Sequence, residues 1–229
     1  MAQTRPAFQR PDTEIRLRMS YEEFLEWADE DVHAEWVNGE VIVFMPPKNR
    51  HQEIVTFLAT LMRLYADFFN LGKVLVAPFE MRLTNSAREP DILFVARESL
   101  PRLTQERLQG PADLVVEVVS EYSVGRDRVE KLLEYQTEGV REYWLIDSRP
   151  GKAGAEFFVR DAQGKFNPVP ADEGGVYRST VLAGFWWRLD WLYADEFPDT
   201  LLTFAEIAGF PAEVVETLRQ MGGRERATD

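Results

Sequence analysis

Cysteine is absent from the chain, which excludes disulfides, thiolate nucleophiles and cysteine zinc sites and suits a reducing compartment such as the cytoplasm. Long apolar runs are lacking too: nothing approaches the ~18 residues of a membrane-spanning helix, so no membrane partner is expected. Positive charge is scarce. The 26 Lys and Arg residues face 39 Asp and Glu, leaving a net charge of −13. Affinity for a polyanion comes largely from Lys and Arg that neutralise phosphates, so any nucleic-acid contact must rest on a local basic surface. The excess of carboxylates also makes a lone Asp or Glu uninformative, and position must discriminate. No internal repeat or low-complexity tract is present.

What remains is an ordinary globular balance, 45% apolar and 28% charged over 229 residues, within reach of one domain with a substantial core. Residues 1–17 read as a flexible arm. Their first dozen are polar, with arginines and prolines but without the apolar segment of a signal peptide. A core over 18–150, an extension of the same domain over 151–221 and a frayed tail over 222–229 complete the expected organisation.

Ser20 and Glu23 have capping-box spacing before the apolar positions Tyr21, Phe24, Leu25 and Ala28, which predicts a short helix. Glu35–Val37 and Glu40–Phe44 flank Asn38-Gly39, a two-residue link suited to a type I′ hairpin ended by Pro46-Pro47. A long amphipathic helix is expected over His51–Asn70, closed by Gly72. Strands follow at Lys73–Ala77, Phe79–Leu83 and Asp91–Ala96, then a polar loop over 99–112 and a strand at Leu114–Val119. A helix over Val124–Glu138, stopped by a left-handed Gly139, feeds a strand at Glu142–Asp147. Beyond Pro150 a hairpin around Gln163-Gly164 joins Glu156–Asp161 to Lys165–Val169. Phe185–Tyr193, with Trp186, Trp187 and Trp191, reads as an aromatic strand for the core or a subunit interface. Thr203 and Glu206 repeat the capping-box spacing ahead of a C-terminal helical segment. The element order is that of an α/β chain with a mixed sheet and helices packed on it.

Two carboxylates stand where carboxylates are costly. Glu117 interrupts the apolar run Leu114–Val119, which suits a strand buried on both faces. Asp91 opens the run Ile92–Val95 directly after Pro90, which places it at a strand entrance near a sheet edge or bulge. Carboxylates on neighbouring strands can share Mg²⁺, which needs only one or two of them. The helix from Val124 returns across the strand before it. Lys131 lies about 10 Å along that helix, and Glu117 about 7 Å back from the strand end, so a lysine can reach Glu117. Taken singly, each residue has a plainer reading: an ion pair for Glu117, a strand cap for Asp91, a helix-surface pair with Asp127 for Lys131. The combination favours chemistry.

Pro90-Asp91 followed by Glu117 in an apolar strand resembles the PD-(D/E)XK nuclease signature. More narrowly, the chain resembles the large bacterial family of restriction-endonuclease-like proteins. The similar segments are Glu35–Glu40, His51, Glu89–Ile92, Asp113–Ser120, Arg126–Arg128 with Lys131 and Tyr135, and Gly139–Asp147, together spanning roughly 18–150. The resemblance implies a restriction-endonuclease-like core with an N-terminal hairpin and a C-terminal β/helical extension. It also implies Asp91 and Glu117 as ligands of Mg²⁺ or Mn²⁺, and the backbone carbonyl of Val118 as a third. The lysine of the general signature should stand at position 119, where this chain has Val119; in the resembled family it comes from the following helix, which matches Lys131.

Accessory candidates are His51 at the start of the long helix, Glu40 after the hairpin glycine, and Arg126, with Arg128, for phosphate. The expected function is metal-dependent hydrolysis of DNA phosphodiester bonds by a homodimer or larger homo-oligomer. A non-catalytic oligomeric scaffold that keeps the fold, and a hydrolase of small phosphate esters, are the competing readings that the acidic charge motivates.

Overall fold

A computed structural model of the protein describes residues 15–28, 33–43, 47–120, 123–149 and 151–222. The chain enters through strand β1 (Ile15–Arg18), helix α1 (Tyr21–Trp27) and the hairpin β2 (Ala34–Val37) and β3 (Glu40–Val43). The long helix α2 (Asn49–Phe68) leads to four strands, β4 (Gly72–Val76), β5 (Glu80–Arg82), β6 (Ser86–Arg88) and β7 (Ile92–Ala96). A 3₁₀ turn precedes β8 (Arg107–Gln109) and β9 (Leu114–Val119). A π-helical turn over Arg126–Lys131 runs into α3 (Leu132–Glu138) and β10 (Glu142–Asp147). Then come β11 (Gly154–Arg160), β12 (Phe166–Pro168), β13 (Val176–Arg178), β14 (Trp186–Arg188), α4 (Thr200–Ile207) and α5 (Ala212–Gly222).

The strands form a mixed α/β architecture of two six-stranded sheets and a small ribbon. The central sheet runs β12-β11-β10-β9-β7-β4 and the second runs β1-β3-β2-β6-β5-β8, while β13 and β14 pair separately. Within the central sheet only β9 and β10 are parallel, joined by the crossover through α3. Their continuous apolar runs follow from burial on both faces. Ile92, Phe94, Leu114, Val116, Val118, Trp144 and Ile146 face α2 and the C-terminal aromatics, whereas Leu93, Val95, Val115, Val119, Tyr143 and Leu145 face Tyr135 and Val140. Glu117 lies in register with Leu145, on the second of these faces. Among the described residues no helix is long and apolar enough to cross a membrane.

Residues beyond 150 share this core. Phe157, Tyr177, Phe185 and Trp187 pack with Trp144 and with Ile54, Leu58 and Leu61 of α2. A fully buried carboxylate, Glu142, ties the extension to β10. Its Oε1 accepts hydrogen bonds from Trp144 Nε1 at 2.6 Å and the Tyr177 hydroxyl at 2.9 Å. Its Oε2 accepts from the Thr180 and Val181 amides, both at 2.9 Å, and from the hydroxyls of Ser179 and Thr180.

The capping box at Ser20, the Asn38-Gly39 hairpin, with both residues at positive φ, and the left-handed Gly139 form as the sequence predicts. Several expectations fail for physical reasons. The arm does not extend to residue 17, because Ile15–Arg18 pairs with β3; residues 1–14, Phe44 and Pro46 lie outside the described residues. Asn70 supplies the left-handed turn after α2, so Gly72 is not the cap and instead opens β4. The three-residue strands β6 and β8 are too short to show a period. Only Trp186–Arg188 of the aromatic stretch is a strand, and Leu189–Tyr193 turns into a 3₁₀ helix. Asp199, not Thr203, caps α4; the Thr203 hydroxyl donates back to the Asp199 carbonyl at 2.7 Å.

Gly72 is required by close approach. A Cβ there would stand 2.1 Å from the Val95 carbonyl oxygen and 3.0 Å from the Ala96 Cα, both backbone atoms of β7. Gly72→Ala is expected to cost about 1–3 kcal/mol through overpacking and to lower the thermal midpoint. A midpoint equal to wild type in a calorimetric scan contradicts this.

Candidate active site

The antiparallel register of β7 and β9 pairs Ile92 with Val116, so one step further Asp91 stands opposite Glu117. Asp91 is held from both sides. Its Oδ2 accepts the Val118 amide at 2.7 Å, and its backbone carbonyl accepts the Ala77 amide at 3.3 Å. The expected position near a sheet edge or bulge is therefore corrected: β7 is flanked by β4 and β9, and Pro90 loses no ladder bond because it lies before the strand. His51, in the first turn of α2, brings Nε2 to 3.0 Å from Asp91 Oδ1. Burial lowers the imidazole pKa, but the hydrogen bond and charge of Asp91, the charge of Asp127 and the Val118 backbone raise it further. The net shift is upward.

Glu117 is buried and receives two donors on Oε1, Lys131 Nζ at 2.8 Å and the Tyr135 hydroxyl at 2.7 Å. The contact inferred from strand and helix lengths exists. Lys131 also lies 3.1 Å from Glu35 Oε1 and 3.6 Å from Asp127 Oδ1. The pairing with Asp127 is real, but Asp127 is 2% exposed and so belongs to the interior, not to a helix surface.

Sequence reasoning missed Glu35, Glu89 and the inward turn of Asp127. Glu35, on β2, is 1% exposed and bonded by Arg88 at 2.9 Å and by the Glu89 amide at 3.2 Å. Arg88 is anchored in turn by Glu134, through Nε at 2.8 Å. The isolated carboxylate of Glu35 in a hairpin strand was the available signal, but its cationic partner sits on the unrecognised β6.

One ammonium faces three carboxylates, and the protonation of the cluster reflects this. Burial pushes the Glu117 carboxyl up to about 8; Lys131 opposes the shift, and the charges of Asp127, Asp91 and Glu35 add to it. Burial likewise raises Asp127 despite Lys131. Glu35 goes the other way, down to about 2, because Lys131, Arg88 and Arg126 together outweigh its burial. Glu89, desolvated and beside Glu35 and Glu80, is raised to about 7.

Glu35, His51, Glu89, Asp91, Glu117, Asp127 and Lys131 line a cleft of about 890 Å³ that also includes Val118, Arg126 and Arg149. Glu40 takes no part in it: that residue turns toward β1, 3.4 Å from Arg16 and 3.5 Å from Arg18. Arg128 pairs with Asp147 at 3.3 Å and with Glu156. Among the described residues no group of three or more His, Asp and Glu side chains is arranged to hold a metal ion. Mg²⁺ demands less, one or two carboxylates with waters and substrate oxygens. Burial raises Glu117 and Asp127, and a divalent cation beside them would favour their ionised forms.

A family model described as "Uma2: Putative restriction endonuclease" matches residues 21–191. A solved structure of a "putative nuclease belonging to DUF820" from Anabaena variabilis is similar in fold, with a TM-score of 0.61 at 17% sequence identity. The similarity covers 75% of this chain and 96% of that one. No curated protein matches the chain.

Replacing Lys131 by Met removes the cation and leaves its carboxylates. The expected loss of stability is about 3–5 kcal/mol in urea unfolding, as for other broken buried pairs. Lys131 is raised above its ordinary value and stays charged from pH 6 to 9. Glu117, raised to about 8, ionises over that window, so the penalty grows as pH rises. A penalty independent of pH contradicts the account.

Proposed function

Since the chain belongs to the Uma2 family of restriction-endonuclease type, we propose that it is a metal-dependent nuclease that hydrolyses DNA phosphodiester bonds at Asp91 and Glu117. The observation that carries this reading is the meeting of two acidic side chains from adjacent strands with a buried lysine, 2.8 Å from the second of them. Asp91 and Glu117, with the Val118 carbonyl, would hold Mg²⁺ or Mn²⁺. When bound, such a cation supplies Lewis-acid stabilisation of phosphate charge and lowers the pKa of water.

The chain's own side chains do the remaining work. His51 and the Val118 amide each occupy one Asp91 oxygen and fix the orientation of that carboxylate. Tyr135 and Lys131 do the same for Glu117 from one side. Lys131 is also the charge placed to stabilise a developing phosphate anion. Val119, where the general signature has its lysine, is fully buried in the core packed around Tyr135 and Val140. The ammonium reaches Glu117 from the following helical turn instead, so the departure at 119 costs the cleft no cation.

Supercoiled plasmid and circular single-stranded DNA, each incubated with the pure protein and Mg²⁺ or Mn²⁺, are the direct trial. Wild type is expected to cut at least one of the two, while Asp91→Ala and Glu117→Ala lose about 100-fold or more in rate. Equal cleavage by all three proteins removes the assignment of these residues. No cleavage together with no Mn²⁺ binding at millimolar concentration replaces the nuclease by the scaffold reading, for which the net charge of −13 speaks.

A further inference from the structure

The mouth of the cleft carries a feature that the acidic floor does not need. Tyr193 closes the 3₁₀ helix that follows β14, and the residue is 62% exposed while lining the cleft. It is nevertheless fixed at both ends. Its hydroxyl donates to the Ala153 carbonyl at 2.8 Å. The Arg50 guanidinium, from the first turn of α2, donates to the carbonyls on either side, Leu192 at 2.9 Å and Ala194 at 2.8 Å. The same guanidinium stands 4.5 Å above the Phe197 ring, which stacks on Phe57 of α2. An aromatic ring whose backbone is strapped and whose face is left to solvent, at the entrance of a phosphate-chemistry site, is a platform for a nucleobase.

Size decides which form of nucleic acid fits. A cleft of about 890 Å³ lies within the ~300–1,000 Å³ of pockets that enclose small ligands. Specific duplex recognition spreads over about 1,000–2,500 Å² of protein surface, more than a cleft of this volume encloses. Lys48, Arg50 and Arg149 line the cleft, Arg149 paired with Asp147 at 2.7 Å and Arg50 with Glu53 at 3.3 Å. We propose that the cleft takes an unpaired nucleotide of single-stranded DNA, its base stacked on Tyr193 and its phosphate directed to the Asp91–Glu117 floor. This inference rests on the nuclease reading and narrows its substrate.

The test is fluorescence anisotropy with a labelled single-stranded oligonucleotide and the duplex of the same sequence. Both are titrated in Ca²⁺ against wild type, Tyr193→Ala and Tyr193→Phe, with thermal unfolding as the check on folding. The single strand is expected to bind at least about tenfold more tightly than the duplex. Tyr193→Ala should weaken it about 5- to 100-fold, and Tyr193→Phe, which keeps the ring, about twofold or less. Equal affinity for both forms, or an unchanged affinity of a folded Tyr193→Ala, overturns the inference. If Tyr193→Ala does not fold, the wild-type comparison and Tyr193→Phe decide it. A protein that binds Mn²⁺ yet neither oligonucleotide overturns the nucleic-acid reading itself, and this inference with it.

Discussion

A lysine ammonium at 3% exposure is costly to bury unless anionic partners replace its water. Lys131 meets that condition with carboxylates from three separate places: Glu117 on the central sheet, Glu35 on the hairpin of the second sheet, and Asp127 one turn earlier in its own helix. The contact therefore joins the two six-stranded sheets at one point. It also sets the electrostatic balance of the cleft, because a single positive charge cannot satisfy three negative ones. Arg88 takes up the share of Glu35, whereas Glu117 and Asp127 keep carboxyls raised chiefly by burial. A divalent cation at the end of these two buried strands would favour the ionised forms of both carboxyls.

The local geometry that delivers Lys131 is the π-helical turn over Arg126–Lys131. Wide turns of this kind are rare and concentrate at functional sites. Here the turn buries Arg126, Asp127 and Lys131 together, while Val129 between them is 56% exposed. Tyr135 on α3 reaches the same Glu117 oxygen. Strand and helix are thus bonded to each other through the carboxylate proposed as a ligand, and folding and chemistry place the same demand on position 117.

What was legible in the sequence was what carries a local signal. Apolar strands interrupted by a carboxylate are visible in one dimension, so Glu117 and Asp91 stood out, and known rises per residue were enough to bring Lys131 to Glu117. The limits of β9, β10 and the Asn38-Gly39 turn were legible for the same reason. Long-range pairings between short strands were not. The partner of Glu35 is Arg88 on β6, a strand of three residues, and nothing local distinguishes that stretch from a loop. Glu40 was misplaced because its partners, Arg16 and Arg18, sit on a strand that reads as part of a polar arm. A solvated position is the commoner case for a helix-start histidine, and only the contact with Asp91 fixes the environment of His51.

The central claim is that Asp91 and Glu117 form one cation site beside Lys131. A crystal soaked in Mn²⁺ and measured at the manganese absorption edge tests it most directly. The account predicts an anomalous peak bridging the two carboxylates at about 2.0–2.3 Å, with Lys131 still bonded to Glu117. A well-ordered cleft without a peak, or manganese bound only at carboxylates elsewhere on the surface, would contradict it.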